Sequence, residues 1–182
     1  MLPPGHVAGG YLVAITLTGL ISPVLSEQET GLLIAIGMFF GFAPDLDMFI
    51  SFLRKGEARL GQGEHNHRYL ITHTPIFWLF VGTLTALFIP QPLGWHVGAM
   101  MFFGALSHFA LDSIQFGIMW VFPFTRRLFA LRDSGVEFHL SQDKGFLAHW
   151  GEMVAMYARR FTLTFVCEIL VIAAALIVFA AP

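Results

Sequence analysis

Seven side chains in this sequence offer donors that bind a divalent cation without sulfur: His6, Asp45, Asp47, His67, His73, His108 and Asp112. Imidazole and carboxylate together, with no cysteine among them, suit zinc or another first-row divalent metal. His108 and Asp112 are four residues apart and so stack on one helix face, with Gln115 a further three along. They read as a ligand pair, as a ligand with its orienting carboxylate, or as a structural hydrogen bond. Asp45 and Asp47 are two apart and cannot share one helical face. A joint role needs a local break, and Pro44 supplies a cause for one; otherwise the pair simply ends a helix. His67 and His73, in the run His65-Asn66-His67-Arg68-Tyr69-Leu70-Ile71-Thr72-His73-Thr74, have a spacing that suits an irregular loop.

A bound divalent ion would lower the pKa of water from about 15.7 toward about 7, so that hydroxide attacks at neutral pH with no protein nucleophile. Arg68, beside His67, has a planar fork that fits a phosphate or carboxylate. Asp45 is then a ligand or the general base, and Thr72 a polar neighbour in the loop. There is no Gly-rich phosphate loop ahead of a helix, no Gly-x-Ser-x-Gly elbow and no partnered Cys nucleophile.

The elements that must position these residues are apolar. Of 182 residues, 56% are hydrophobic and 12% charged, with 20 Phe and a net charge of −2. Mean hydropathy is +0.70. A soluble domain carries about twice that charged fraction. The balance excludes an ordinary soluble domain, a nucleic-acid binder and a disordered tail. The single Cys167 excludes a disulfide framework and a thiolate zinc cluster. The expectation is one integral-membrane domain over residues 1–182, an all-α polytopic bundle.

Five apolar stretches can span about 30 Å of hydrocarbon: Val7–Leu25, Gly31–Phe52, Pro75–Leu93, Trp95–Phe124 and Phe161–Ala181. Backbone groups in lipid need internal partners, so these read as helices. Without a basic residue before the first stretch or a small-x-small site after it, an uncleaved first helix is expected. All ten Lys and Arg residues fall after the second stretch, as far as Arg68, or after the fourth, from Arg126 to Arg160. Positive loops stay cytoplasmic, which places the N-terminus inside and the C-terminus outside. That topology, derived from Lys and Arg alone, gathers the His/Asp set at one membrane depth. Thr125–Arg160 reads as a cytoplasmic segment with a surface helix along the anionic leaflet. Thr74-Pro75 reads as an N-cap and first-turn proline, His96 as interfacial, and Glu168 as facing the bundle.

At these motifs the chain resembles the bacterial membrane-bound metal-dependent hydrolases, a largely uncharacterised inner-membrane family. The resemblance rests on Gly5-His6, Pro44-Asp45-Leu46-Asp47, His67 to Thr74, Ser107-His108 with Asp112, Phe122-Pro123-Phe124 and Ser134-Gly135-Val136-Glu137. Where the family often has Ser after the second loop His, this chain has Thr74. The order His, Asp, His, His-x-x-x-Asp is also similar to that of zinc-dependent phospholipases C. There a further His and a His-x-x-x-Glu pair follow. Here His139, then His149 with Glu152, fall one residue short of that spacing. The resemblance thus implies one or two ions, zinc foremost, with Glu137, His139, His149 and Glu152 supporting ligands or holding a second ion.

The reading is a metal-dependent hydrolase at the cytoplasmic face of the inner membrane with membrane lipid as its partner; the location suggests a lipid phosphoester as substrate, and the same metal chemistry would serve an ester or an amide. A metal-ion or proton permease and a structural protein stapled by its metal are the alternatives. Oligomeric state is not legible.

Overall fold

The computed structural model describes residues 1–21, 25–55, 57–60, 66–132, 138–141, 146–160 and 163–181. Its apolar runs form helices: α1 Pro3–Ile21, α2 Glu27–Phe42, α3 Leu46–Lys55, α4 Pro75–Phe88, α5 Leu93–Asp112, α6 Phe146–Arg160 and α7 Leu163–Ala180. α2 starts at a capping box, in which the Ser26 hydroxyl accepts from Glu29 N–H and the Glu29 carboxylate accepts from Ser26 N–H. α6 falls within residues 125–160. The sequence held no sign of the strand pair found among the described residues, β1 Glu57–Leu60 antiparallel to β2 Phe138–Ser141, with Glu57 opposite Ser141.

Two stretches are long and apolar enough to cross a membrane by length and composition, Glu27–Arg54 and Leu163–Ala180; Pro75–Phe88 is a shorter apolar helix. The fourth expected stretch is helical only as far as Asp112, and the chain then leaves the helix axis. Thr74 does precede α4 with Pro75 in its first turn. Its hydroxyl donates to the Ile71 carbonyl, however, so it staples the loop and does not cap the helix.

α1 packs on α2, α5 and α7, α2 on α5, and α4 on α5. One apolar cluster joins Ala14, Leu33, Val97, Met100 and Met101; a second joins Ala43, Trp78, Ala105, Phe109 and Ile118. Small residues let the backbones approach closely. A Cβ at Gly104 would lie 2.9 Å from the Gly37 carbonyl oxygen, and one at Gly41 would lie 2.5 Å from that of His6. The α1–α2 crossing therefore sets where His6 sits.

Gly41→Ala forces α1 off α2 and is expected to cost about 1–3 kcal/mol, the usual range for overpacking. Gly31→Ala, where a Cβ meets nothing within 4 Å, should be neutral or gain up to about 1 kcal/mol from helix propensity. Thermal unfolding in detergent checks both; equal melting of the two variants contradicts the crossing described.

Candidate metal centre

The break expected at Pro44 is present. Ala43–Asp45 forms a 3-10 turn between α2 and α3, and it turns both carboxylates inward: Asp45 and Asp47 are both buried. The loop before α4 is two further 3-10 turns, His67–Tyr69 and Ile71–His73. The Asn66 side chain accepts from Arg68 N–H at 3.0 Å and fixes the first turn. The Trp78 indole donates to the Thr72 carbonyl at 2.7 Å and fixes the second. α5 brings His108 and Asp112 on one face, and the first turns of α1 bring His6. All of these side chains are buried, and they meet at one end of the helix bundle.

The distances divide the two aspartates. Asp47 makes hydrogen bonds. It accepts from Nδ1 of His67 at 3.0 Å, from Nδ1 of His73 at 2.8 Å and from the Thr72 hydroxyl. Asp45 stands farther off. Its Oδ1 lies 3.5 Å from His73 Nε2 and 3.6 Å from His108 Nε2, and its Oδ2 lies 3.7 Å from His6 Nε2. His6 Nε2 is also 3.4 Å from Asp112 Oδ1, and His108 Nε2 is 3.8 Å from Asp112 Oδ2. These gaps are too long for hydrogen bonds. They match two ligands of one ion, since tetrahedral ligands at about 2.1 Å from zinc lie about 3.4 Å apart.

The imidazole tautomers agree with that reading. A carboxylate or carbonyl only accepts, so His73 carries its proton on Nδ1 toward Asp47, and His108 on Nδ1 toward the Gly41 carbonyl at 3.0 Å. Their Nε2 atoms are left facing Asp45. Nε2 of His6, His67, His73 and His108 are buried without a hydrogen-bond partner, as is Nδ1 of His6. Orphaned buried nitrogens of this kind call for an ion or a proton. The His6 and His108 rings stack with centroids 3.8 Å apart, which disfavours both being charged. Two donor groups converge closely enough to hold a cation, Asp45–His73–His108–Asp112 and Asp47–His67–His73.

Asp112 is also gripped from the other side. Arg68 donates to its Oδ2 from Nε at 2.8 Å and Nη2 at 2.6 Å, and the Met1 nitrogen lies 2.8 Å from Oδ1. The fork expected to hold a substrate anion is thus engaged by a carboxylate of the site, with Phe116 beneath it at 4.6 Å. Three contributors were missed as ligands or supports: the Gly41 carbonyl, Phe116 and Asn66. Only Asn66, a turn former ahead of His67, could have been found from sequence. Glu168 does face the bundle, where its carboxylate accepts from Leu2 N–H at 3.1 Å and so ties the chain ahead of His6 to α7. Glu152 is exposed on α6 and is in neither donor group, and His96 is half-buried near the start of α5. Glu137 lies outside the described residues, as do the side chains of His139 and His149.

The family model for the YdjM inner membrane protein matches residues 1–181. The chain belongs to the YdjM inner membrane protein family. No curated protein and no solved structure matches it. Membership makes the exposed apolar residues of α4 and α7, such as Leu87, Phe88, Ile177 and Phe179, intelligible as surface toward lipid.

In the loop between α3 and α4, burial alone would drive the His73 imidazolium to lose its proton, but the hydrogen bond to Asp47 and the charges of Asp45 and Asp47 outweigh it and hold its pKa up to about 9. Burial, with the neighbouring charges of His73 and Arg68, pushes His67 down. Without an ion, His73 is therefore protonated at neutral pH, and a metal has to displace that proton from Nε2. Zinc affinity should rise up to about tenfold per pH unit between pH 6.5 and 8.5. Asp47→Asn should weaken zinc about 10–100-fold, as loss of an orienting carboxylate does, and flatten the pH dependence. Chelator-competition titrations check both, and an affinity that ignores pH in this range contradicts the assignment.

Proposed function

We propose that this protein is a membrane-embedded, metal-dependent hydrolase. In this reading α1, the broken α2–α3 unit, α4, α5 and α7 are five passes with the N-terminus inside, and the site lies toward the cytoplasmic face of the inner membrane. The observation that carries the proposal is the set of buried Nε2 atoms of His6, His73 and His108, all within 3.7 Å of Asp45 and none with a hydrogen-bond partner.

A divalent ion held there, zinc foremost, supplies a Lewis acid and an acidified water. The chain's own residues do the rest. His73, His108, Asp45 and Asp112 hold the ion, and His6 closes the set from α1. Asp47 is not itself needed as a ligand; it aims His73 by fixing its tautomer, with Thr72 steadying the carboxylate. Arg68 grips Asp112 at Oδ2, with its Oδ1 3.4 Å from His6 Nε2. Asp45, with Oδ1 toward His73 and His108 and Oδ2 toward His6, is the carboxylate shared by all three imidazoles. The second donor group, Asp47–His67–His73, shares with the first His73, whose Nδ1 is already given to Asp47, so the proposal is for one ion. A lipid phosphoester is the proposed substrate, because the donors lie at one end of the bundle and the adjoining loop exposes Leu70 and Ile71.

Position also favours an enzyme over a permease. Transport sites usually lie near the midplane, whereas the other half of this bundle is filled by Ala14, Leu33, Val97, Met100 and Met101. A site that only staples the loop to the bundle would bind metal equally well and hydrolyse nothing.

The test is a screen of lipid headgroup phosphoesters, with esters and amides alongside, on the purified protein with and without a chelator. Hydrolysis is expected to need the metal, to return with zinc, and to fall to the chelated background in His108→Ala and Asp45→Asn. Unfolding is monitored in parallel. Activity that survives chelation and both substitutions would sink the proposal.

A further inference from the structure

The segment after α5, residues 113–132, is neither helix nor strand, yet it is tightly built. Ile118 and Phe129 exchange both backbone hydrogen bonds, at 3.1 and 3.0 Å. Leu131 N–H donates to the Ser113 carbonyl at 2.7 Å and Arg132 N–H to that of Ile114 at 3.0 Å, closing the loop onto the end of α5. Gly117, at φ +83°, turns the chain where a side chain would be strained. Ile118 and Met119 point inward and are fully buried. What faces outward is of one kind: Phe124 is 90% exposed and Leu131 84%, with Trp120, Val121 and Phe129 also exposed. Between them stand exposed Arg126, Arg127 and Arg132. From Ser113 to Arg132 there is no acidic residue.

Large apolar tips held outward by a rigid backbone need a partner that accepts hydrocarbon. A non-helical backbone cannot enter the hydrocarbon itself, because its polar groups would go unpaired. Arginines beside those tips need anions at the same depth. The headgroup layer of an anionic bilayer meets all three demands, with phosphates for the guanidinium groups and acyl chains just beneath for Phe124 and Leu131. We propose that residues 113–132 are a docking loop for anionic phospholipid. It begins one residue after Asp112 and places Phe116 under the Arg68 guanidinium, so bound headgroups gather beside the metal centre. The inference rests on the loop and on membership of an inner-membrane family, and it holds whether or not the site hydrolyses anything.

The test uses the full chain in nanodiscs of phosphatidylcholine with 30% phosphatidylglycerol, scoring the lipid retained after mild detergent extraction. Wild type should hold phosphatidylglycerol well above its share of the disc. That enrichment should be lost, with phosphatidylglycerol retained only at its share of the disc, when Arg126→Gln, Arg127→Gln and Arg132→Gln are combined, and should weaken in high salt. Phe124→Ser with Leu131→Ser should lower retention of both lipids. Zinc content, unchanged in every variant, shows that the fold and centre survive. Equal retention of the two lipids by wild type, or enrichment untouched by the triple Gln variant, overturns the proposal and points to a protein partner for the loop.

Discussion

A carboxylate can be kept in a dry helix bundle only if positive charge reaches it, and Asp45 sets that problem for the whole fold. Its ion-pair neighbours are three imidazoles, those of His6, His73 and His108, each 3.5–3.7 Å away. Two of these have their Nδ1 proton committed elsewhere, to Asp47 and to the Gly41 carbonyl. Their remaining nitrogens cannot satisfy Asp45 as neutral donors. Either a proton or a cation must lie among them, and the spacing of the atoms suits a cation. Asp112 poses a milder version of the problem, since Arg68 already pairs with it.

The remaining architecture can be understood as what brings these donors together. The turn at Ala43–Asp45 interrupts a long apolar helix where a straight one would have pointed Asp45 and Asp47 to different sides. Close contact at Gly41 lets the first turns of α1 lie on α2, with His6 reaching the site. Asn66, Thr74 and Trp78 pin a loop that would otherwise hold His67 and His73 loosely. Glu168 draws the start of the chain onto α7. Each device spends polar groups or tight packing at the end of the bundle, while the opposite half closes with ordinary apolar contacts.

Much of this was legible in the sequence, for identifiable reasons. Apolar run lengths located most of the helices, because backbone satisfaction leaves few alternatives. The i, i+4 spacing put His108 and Asp112 on one face, and the alternating direction of successive apolar helices brought the donors to one end of the bundle. The roles of Asp45 and Asp47 were not legible. A single 3-10 turn decides which carboxylate faces the imidazole Nε2 atoms and which reaches Nδ1, and residue types do not encode that rotation. The Gly41 carbonyl has no side chain to announce it. Arg68 looked like an anion binder because its type is one, yet geometry pairs it with Asp112. The apolar run through Phe124 promised a longer helix, but the backbone bonds of the following loop ended it at Asp112.

X-ray absorption at the metal edge, on zinc-loaded protein in detergent, addresses the central claim most directly. A centre built from His6, Asp45, His73, His108 and Asp112 gives a nitrogen and oxygen shell at about 2.0–2.1 Å, with the outer scattering of two or three imidazoles, and loses an imidazole in His108→Ala. A protein that takes up no zinc, or zinc whose surroundings contain no imidazole, would contradict it.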